Sequence, residues 1–414
     1  MKGRRRRFTG LAATVCGLTV AAALAAPSAQ AVQFNPNPWR GFGFLNIAHQ
    51  GGENEAPSST LFAFKSAINP RGADMLELDV NMTLDNRLVV IHNDTVNSTT
   101  QETRDRASGF SEVNDLTLNQ VQALDAGYSF RGNGIYDDDH VPATDYPYRG
   151  MRTGAVPPPP GYTPDDFAHP TLEQVLDAFP NTPINIEIKM IKTTTGAASG
   201  GVGCQTQGAL TYCDDSPGSM PVATELAAVL NRPEYSSRRN ILVVSFSQPL
   251  VEHFNSLAPQ VAIAPGTAGA AMGGLGLQPM PDVSAFQIPS RLPGIPNLPE
   301  FFLAPPASAH DRGYAVHVFT QGDEDENDAA YARFTGIGVE GVMSSNPSRL
   351  HAFLCANEIP RPSGADRCPN AQAPAPTPTA PATPAKQCKK GKRLKKGKCV
   401  KKKRKKKSKK QGGK

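Results

Sequence analysis

The sequence predicts an α/β fold, a parallel sheet flanked by helices, open or closed into a barrel. Two observations carry this: short apolar strand patterns alternate with helical ones, and residues 32–370 run on as one stretch long enough for one large domain. Strand patterns fall at 44–48 (FLNIA), 74–80 (DMLELDV), 88–92 (LVVIH), 184–189 (INIEIK), 241–246 (ILVVSF), 260–264 (QVAIA), 283–288 (VSAFQI), 315–320 (AVHVFT) and 340–344 (EGVMS). Nine patterns exceed the eight places of a barrel, so at least one assignment is expected to fail. The turn between Val80 and Leu88 is too short for a parallel crossover, which makes those two strands antiparallel neighbours and any barrel irregular.

Helix starts are marked by two capping-box patterns, Thr117 with Gln120 and Thr171 with Gln174. The second continues as Leu172, Val175, Leu176 and Phe179, the stripe of a buried helix face. Leu61, Phe64 and Ile68 repeat that spacing, with Ser58 or Ser59 as the expected cap. Residues 131–168, with three consecutive aspartates and four consecutive prolines, predict an inserted loop, the acids Asp137, Asp138 and Asp139 being solvated. Residues 266–276 predict a Gly/Ala-rich loop.

The two ends differ from this body. Residues 1–31 combine a basic start, an Ala-rich apolar run and Ala29-Gln30-Ala31, the pattern of a secretory signal cleaved after Ala31. Four consecutive arginines suit either an ordinary or a twin-arginine export signal. Residues 371–385 form a Pro/Ala/Thr linker, and residues 386–414 hold 18 Lys or Arg and no acid. The two ends hold 23 of the 43 basic residues, which leaves 20 in the body against 37 acids. The net charge of +6 therefore hides an acidic body and a basic tail. The partner expected for the tail is an anionic cell envelope or wall polymer. Nucleic acid would be bound only through its phosphates, without sequence preference. The expected location is secreted or envelope-associated.

Six cysteines remain after Cys16 leaves with the signal, and none forms a C-x-x-C pair, which speaks against thiolate zinc or dithiol redox chemistry. Sequence proximity favours disulfides 204–213, 355–368 and 388–399 among the 15 possible connectivities.

The stretch MLELDVNMTLDNRLVVIHND is the most informative. Glu77 and Asp79 alternate with Leu76, Leu78 and Val80, so on a strand both carboxylates share one face. Such a pair is costly to bury unless it is paired or holds a metal, and oxygen ligands select a hard cation, Mg²⁺ or Ca²⁺. Glu187 and Lys189 share a face in the same way, His92 ends the strand pattern after Asp79, and His49 ends the first. Active sites of parallel barrels gather at the C-terminal ends of strands, where all six residues fall. His140, His169, His253, His310, His317 and His351 read as structural or surface residues, His317 being least clear because it lies on a strand.

In this order, AHQGG…PSST, LELDV, DNRLVVIHND, HPTLEQVL, INIEIK, VVSFS, VHVFT and GVEGVMSSNP resemble the glycerophosphodiester phosphodiesterase family across about residues 44–350. The resemblance implies an irregular TIM (β/α)8 barrel of the PLC-like phosphodiesterase type, hydrolysing glycerophosphodiesters to glycerol 3-phosphate and an alcohol. It implies His49 and His92 as the acid/base pair, Glu77, Asp79 and Glu187 as ligands of a divalent cation, and Lys189 facing the phosphate. The chain departs from the family where Gln50 replaces an arginine and Ser58-Ser59 replace Glu-Asn. Gln50 can donate hydrogen bonds to substrate but brings no charge. Glu53 or Glu55 could stand in for the lost carboxylate, with a solvated loop acid as the expected reading. Phe319 is a candidate for the substrate pocket, with barrel core as its alternative. Two rival functions are a phospholipase D-type enzyme acting on lysolipids or sphingolipids, and an inactive envelope-binding barrel.

Overall fold

A computed structural model describes residues 37–96, 99–101, 112–137, 142–189, 204–207, 210–213, 216–305, 308–368, 392–395 and 398–401. The signal-like segment, the linker, Cys388, Asp138, Asp139 and His140 lie outside the described residues. The described residues up to Arg367 belong to one compact unit and those from Cys368 to a second. In the second unit, Lys392–Lys395 pairs with Lys398–Lys401 as an antiparallel hairpin.

All nine strand patterns are strands. Eight are parallel: β1 (Leu45–Ala48), β2 (Met75–Met82), β4 (Ile184–Ile188), β5 (Ile241–Val244), β6 (Ala262–Ile263), β7 (Ala285–Pro289), β8 (Ala315–Phe319) and β9 (Gly341–Ser344). They run in the order β6-β5-β4-β2-β1-β9-β8-β7. A parallel bridge from Ile263 to Val283, with Ser284 N donating to Ile263 O at 2.9 Å, draws the end strands together into a nearly closed barrel. The ninth strand, β3 (Leu88–Val90), pairs antiparallel with β2, Val80 opposite Val90. The short turn therefore produced the expected irregularity, and the surplus pattern is a strand appended outside the parallel set.

Side-chain alternation sorts the barrel into two cores. Leu76, Leu78 and Val80 of β2, with Ile184, Ile186 and Ile188 of β4, point outward to Leu172, Val175, Leu176, Leu226, Leu250 and Phe254 on the helices. Leu45, Ile47, Met75, Leu242, Ala285, Ala315 and Met343 fill the interior around Trp39, which is fully buried. Trp39 sits in a short helix, Pro38–Gly41, capped by Asn37, whose Nδ2 donates to Gly313 O at 3.0 Å. A polar rung also lies inside the barrel: Gln287 Nε2 donates to Asn185 Oδ1 at 2.9 Å and lies 3.5 Å from His317 Nδ1.

Both capping boxes form as predicted, at Leu118–Ala123 and Leu172–Ala178. The Leu61–Ile68 helix also forms, but Thr60 rather than Ser58 or Ser59 caps it, its Oγ1 accepting from Ala63 N at 3.0 Å. Residues 266–276 are not a loop: Thr267–Gly274 is a helix. Its glycines pack against Gln248, Met280 and Phe302 at separations that leave no space for a β-carbon, so close contact overrides weak helix propensity. The insertion at 131–168 is likewise more than a loop. A small hairpin, Phe130–Gly132 with Ile135–Tyr136, opens it, and Met151 and Phe167 pack with Phe62 and Ala63 of the first barrel helix. Asp137 keeps 37% of its side chain exposed and is also ion-paired to Arg131 at 2.7 Å. Cys204 stands opposite Cys213 in an antiparallel pair, and Cys355 and Cys368 are both disulfide-bonded.

Burial lowers His169 and His317 to about 4, from an ordinary 6.5. Each is neutral in the folded chain while the unfolded chain takes up a proton first, so its contribution is complete above pH 6.5 and is lost as pH falls towards 4. The expected loss at pH 5 is on the order of 2 kcal/mol per histidine. Urea midpoints measured from pH 7 to pH 5 should fall less steeply for His317→Gln than for the wild type, and parallel curves would refute the assignment.

Candidate active site

β1 ends at Ala48, and the chain turns at once through His49–Gly51. Gln50 adopts a left-handed φ of 49°, and Gly51 and Gly52 follow at 82° and 88°. A β-carbon on Gly51 would meet Ala63 and Phe64, so glycine is needed there for close approach as well as for the turn. This tight turn aims the Gln50 amide at Glu77, with N to Oε2 at 2.7 Å. It also leaves His49 Nε2 4.0 Å from the same carboxylate oxygen.

Glu77, Asp79 and Glu187 converge as their alternation predicted, with oxygens all within 4.8 Å of one another. β2 and β4 place Asp79 directly opposite Glu187. Lys189 Nζ lies 2.8 Å from Glu187 Oε1 and 3.0 Å from Asp79 Oδ1, so its charge is spent on the carboxylates. Burial, followed by the neighbouring Asp79, pushes Glu77 up to about 8. Burial would lower Lys189, but Asp79 and Glu187 outweigh it and raise its pKa.

Three carboxylates share one ammonium, and burial together with this deficit of positive charge holds Glu77 towards its protonated form. Asp79 is fully buried, and its Oδ2 has no hydrogen-bond partner among the described residues. An all-oxygen donor set with that deficit fits a divalent cation, held by Glu77, Asp79 and Glu187.

His92 stands across from His49, ring centroids 6.5 Å apart and nearly perpendicular. Its Nδ1 is 2.7 Å from Asn93 Oδ1, an arrangement that protonates Nδ1 and frees Nε2. Asn81, on β2 beyond the acids, donates to Ile91 O at 2.8 Å and so ties the His92 segment to the barrel. All six site residues expected from the strand ends are thus brought to one end of the barrel.

Glu53 corrects the sequence reading. It is not a solvated loop acid: its Oε1 lies 2.9 Å from His49 Nδ1 and accepts from Ser345 Oγ at 2.7 Å. Burial raises Glu53 and lowers His49, yet their mutual attraction, with Ser345 on one side and Glu77 and Asp79 on the other, dominates. Glu53 falls to about 2 and His49 rises to about 10. The i, i+4 spacing of the pair was visible in the sequence, but only the tight turn makes it a contact. Glu55 instead pairs with Arg71 at 3.1 Å.

Beside His92 a cleft of about 270 Å³ is lined by Gln50, Asn93, Thr99, Tyr136 and His169 among others. Tyr136 reaches it from the insertion and accepts from Ser58 N at 2.8 Å. His169, read as structural, is a neutral partner of Thr99 at 3.1 Å. Phe319 is half-buried at the end of β8 and meets Phe246, which is 51% exposed, edge-on at 6.3 Å. Phe246 had no distinguishing signal in the sequence beyond its place two residues after β5.

The sequence model of the Glycerophosphoryl diester phosphodiesterase family matches residues 49–349. A glycerophosphodiester phosphodiesterase of Caldanaerobacter subterraneus subsp. tengcongensis is 46% identical over 86 residues, 21% of this chain and 32% of the relative. The human lysophospholipase D GDPD1 is 30% identical over 146 residues, 35% of this chain and 36% of the relative. The chain thus matches about a third of the length of these curated relatives. A solved structure from Silicibacter pomeroyi, named for glycerophosphoryl diester phosphodiesterase, shares the barrel fold at a TM-score of 0.52 and 19% identity, over 77% of this chain and 95% of that one. The family match spans most of the barrel unit, and the chain is a member of the glycerophosphoryl diester phosphodiesterase family.

Proposed function

We propose that the chain hydrolyses glycerophosphodiesters to glycerol 3-phosphate and an alcohol. The observation that carries this reading is the facing pair His49 and His92 beside three buried carboxylates. Glu77, Asp79 and Glu187 would hold Ca²⁺ or Mg²⁺, which supplies charge neutralisation at the phosphoryl oxygens. Lys189, paired with Asp79 and Glu187, would turn its charge to the phosphate once a cation takes over those carboxylates. Glu53, at 2.9 Å, favours the charged form of His49, which suits it to protonate the leaving oxygen. His92, with Nε2 free, takes the proton from the attacking oxygen, whether water or the glycerol 2-hydroxyl. Gln50 and the uncharged polar groups of the cleft, which Glu53 also lines, meet substrate by hydrogen bonds where relatives place an arginine.

Incubation of the purified protein with a panel of glycerophosphodiesters and Ca²⁺ or Mg²⁺ should release glycerol 3-phosphate, and none under either metal would sink the reading. Glu77→Ala and His92→Ala are each expected to lose roughly 100-fold or more in kcat. His49→Ala should be far less damaging on a p-nitrophenyl diester, whose leaving group needs no proton, than on an alkyl one. An equal loss on both would remove His49 from the acid role.

Cation binding has its own readout. Either metal should raise Tm over the chelated protein by a few degrees, on the scale of roughly 1–3 kcal/mol of ligand stabilisation. Asp79→Asn should abolish the metal-dependent shift, and its persistence would reject the ligand set.

A second reading, action on lysolipids in the manner of a phospholipase D, draws support from the exposed Phe246 beside Phe319. Product identity separates the two, since a cyclic lipid phosphate in place of glycerol 3-phosphate favours the second.

The N-terminal pattern and the basic tail support a secreted or envelope-associated protein whose residues 386–414 contact anionic envelope polymers. No described helix is long and apolar enough to cross a membrane. Deleting 386–414 should lower retention on anionic envelope at low salt, with the difference vanishing at high salt, and unchanged retention would reject that contact.

A further inference from the structure

We propose that Glu53 is a positioning residue for His49, anchored through Ser345 to the buried carboxylate of Glu326, and that this assembly fixes which imidazole nitrogen faces the substrate. The inference rests on the proposed hydrolytic role of His49.

The geometry is continuous from the barrel wall to the ring. Glu326 is 2% exposed and accepts four hydrogen bonds: Thr320 Oγ1 at 2.6 Å, Tyr331 Oη at 2.5 Å, Ser344 Oγ at 2.6 Å and Ser345 N at 2.7 Å. So many donors hold a buried carboxylate rigidly and fix the backbone at Ser345, just past the end of β9. Ser345 Oγ donates to Glu53 Oε1 at 2.7 Å, and the same oxygen sits 2.9 Å from His49 Nδ1. The backbone doubles the link, Asn54 N donating to Ser345 O at 3.1 Å.

An ionised carboxylate can only accept, so the Nδ1 facing Glu53 must carry a proton. Nε2 is then the nitrogen turned towards Glu77 and the mouth of the barrel, 4.0 Å from Oε2. A free imidazole on a surface turn would exchange tautomers and rotate, and the assembly prevents both. The carboxylate that orients the histidine is supplied one helical turn after His49, and the strand across the seam holds it.

Three variants test this in the full chain. Glu53→Gln keeps the shape and removes the charge. It should lower kcat roughly 10- to 100-fold with KM and Tm nearly unchanged. Ser345→Ala should cost less, about 3- to 10-fold, and the double variant should be no worse than Glu53→Gln alone, because Ser345 acts through Glu53. ¹⁵N NMR of histidine-labelled protein, taken at a pH high enough for the His49 ring to be neutral, should show the remaining proton on Nδ1 in the wild type and a mixture of tautomers in Glu53→Gln. Wild-type kcat in Glu53→Gln, losses that multiply in the double variant, or a wild-type ¹⁵N pattern in Glu53→Gln would each overturn the proposal. A wild-type protein inactive on every diester would instead overturn the hydrolytic reading, while the NMR comparison would still judge the contact.

Discussion

The cost of burying negative charge governs this end of the barrel. Glu77, Asp79 and Glu187 come within 4.8 Å of one another where water is largely excluded, and like charges so placed repel strongly. Each neighbouring feature reduces that repulsion. Lys189 bridges two of the acids, the Gln50 amide points at the third, and His49 is drawn towards it. The left-handed turn at Gln50 and the glycine after it exist to bring that amide into range. What remains uncompensated is the charge a divalent cation would balance.

The two histidines are held by different devices. His92 depends on neighbours close in sequence, with Asn93 at its Nδ1 and Asn81 holding the segment to β2. His49 depends on residues almost 300 positions away, because Ser345 and Glu326 reach its ring only through Glu53. The His49 device sits where β1 and β9 are neighbours, so the pairing of these two strands is itself part of the site. The insertion contributes Tyr136 in a comparable way, packed onto Phe62 and Phe167 through its aromatic residues.

Much of this was legible because alternation along a strand is a local property. Leu76, Leu78 and Val80 had to oppose Glu77 and Asp79, and the parallel order brought Glu187 alongside. The capping boxes at Thr117 and Thr171 were legible for the same reason, each being complete within four residues. The failures share the opposite character. Thr267–Gly274 looked like a loop because its glycines are poor helix formers, and only Gln248, Met280 and Phe302 explain why the helix packs there.

By itself the sequence determined the alternating α/β order, the faces of each strand and the six residues at the strand ends, since period and spacing are set along the chain. Tertiary structure alone decided that Lys189 is absorbed by carboxylates, and that Glu53 contacts His49 and Ser345. Those outcomes depend on distances between segments far apart in the chain. Such distances follow from how eight short strands close around Trp39 and its apolar neighbours, which no local pattern encodes.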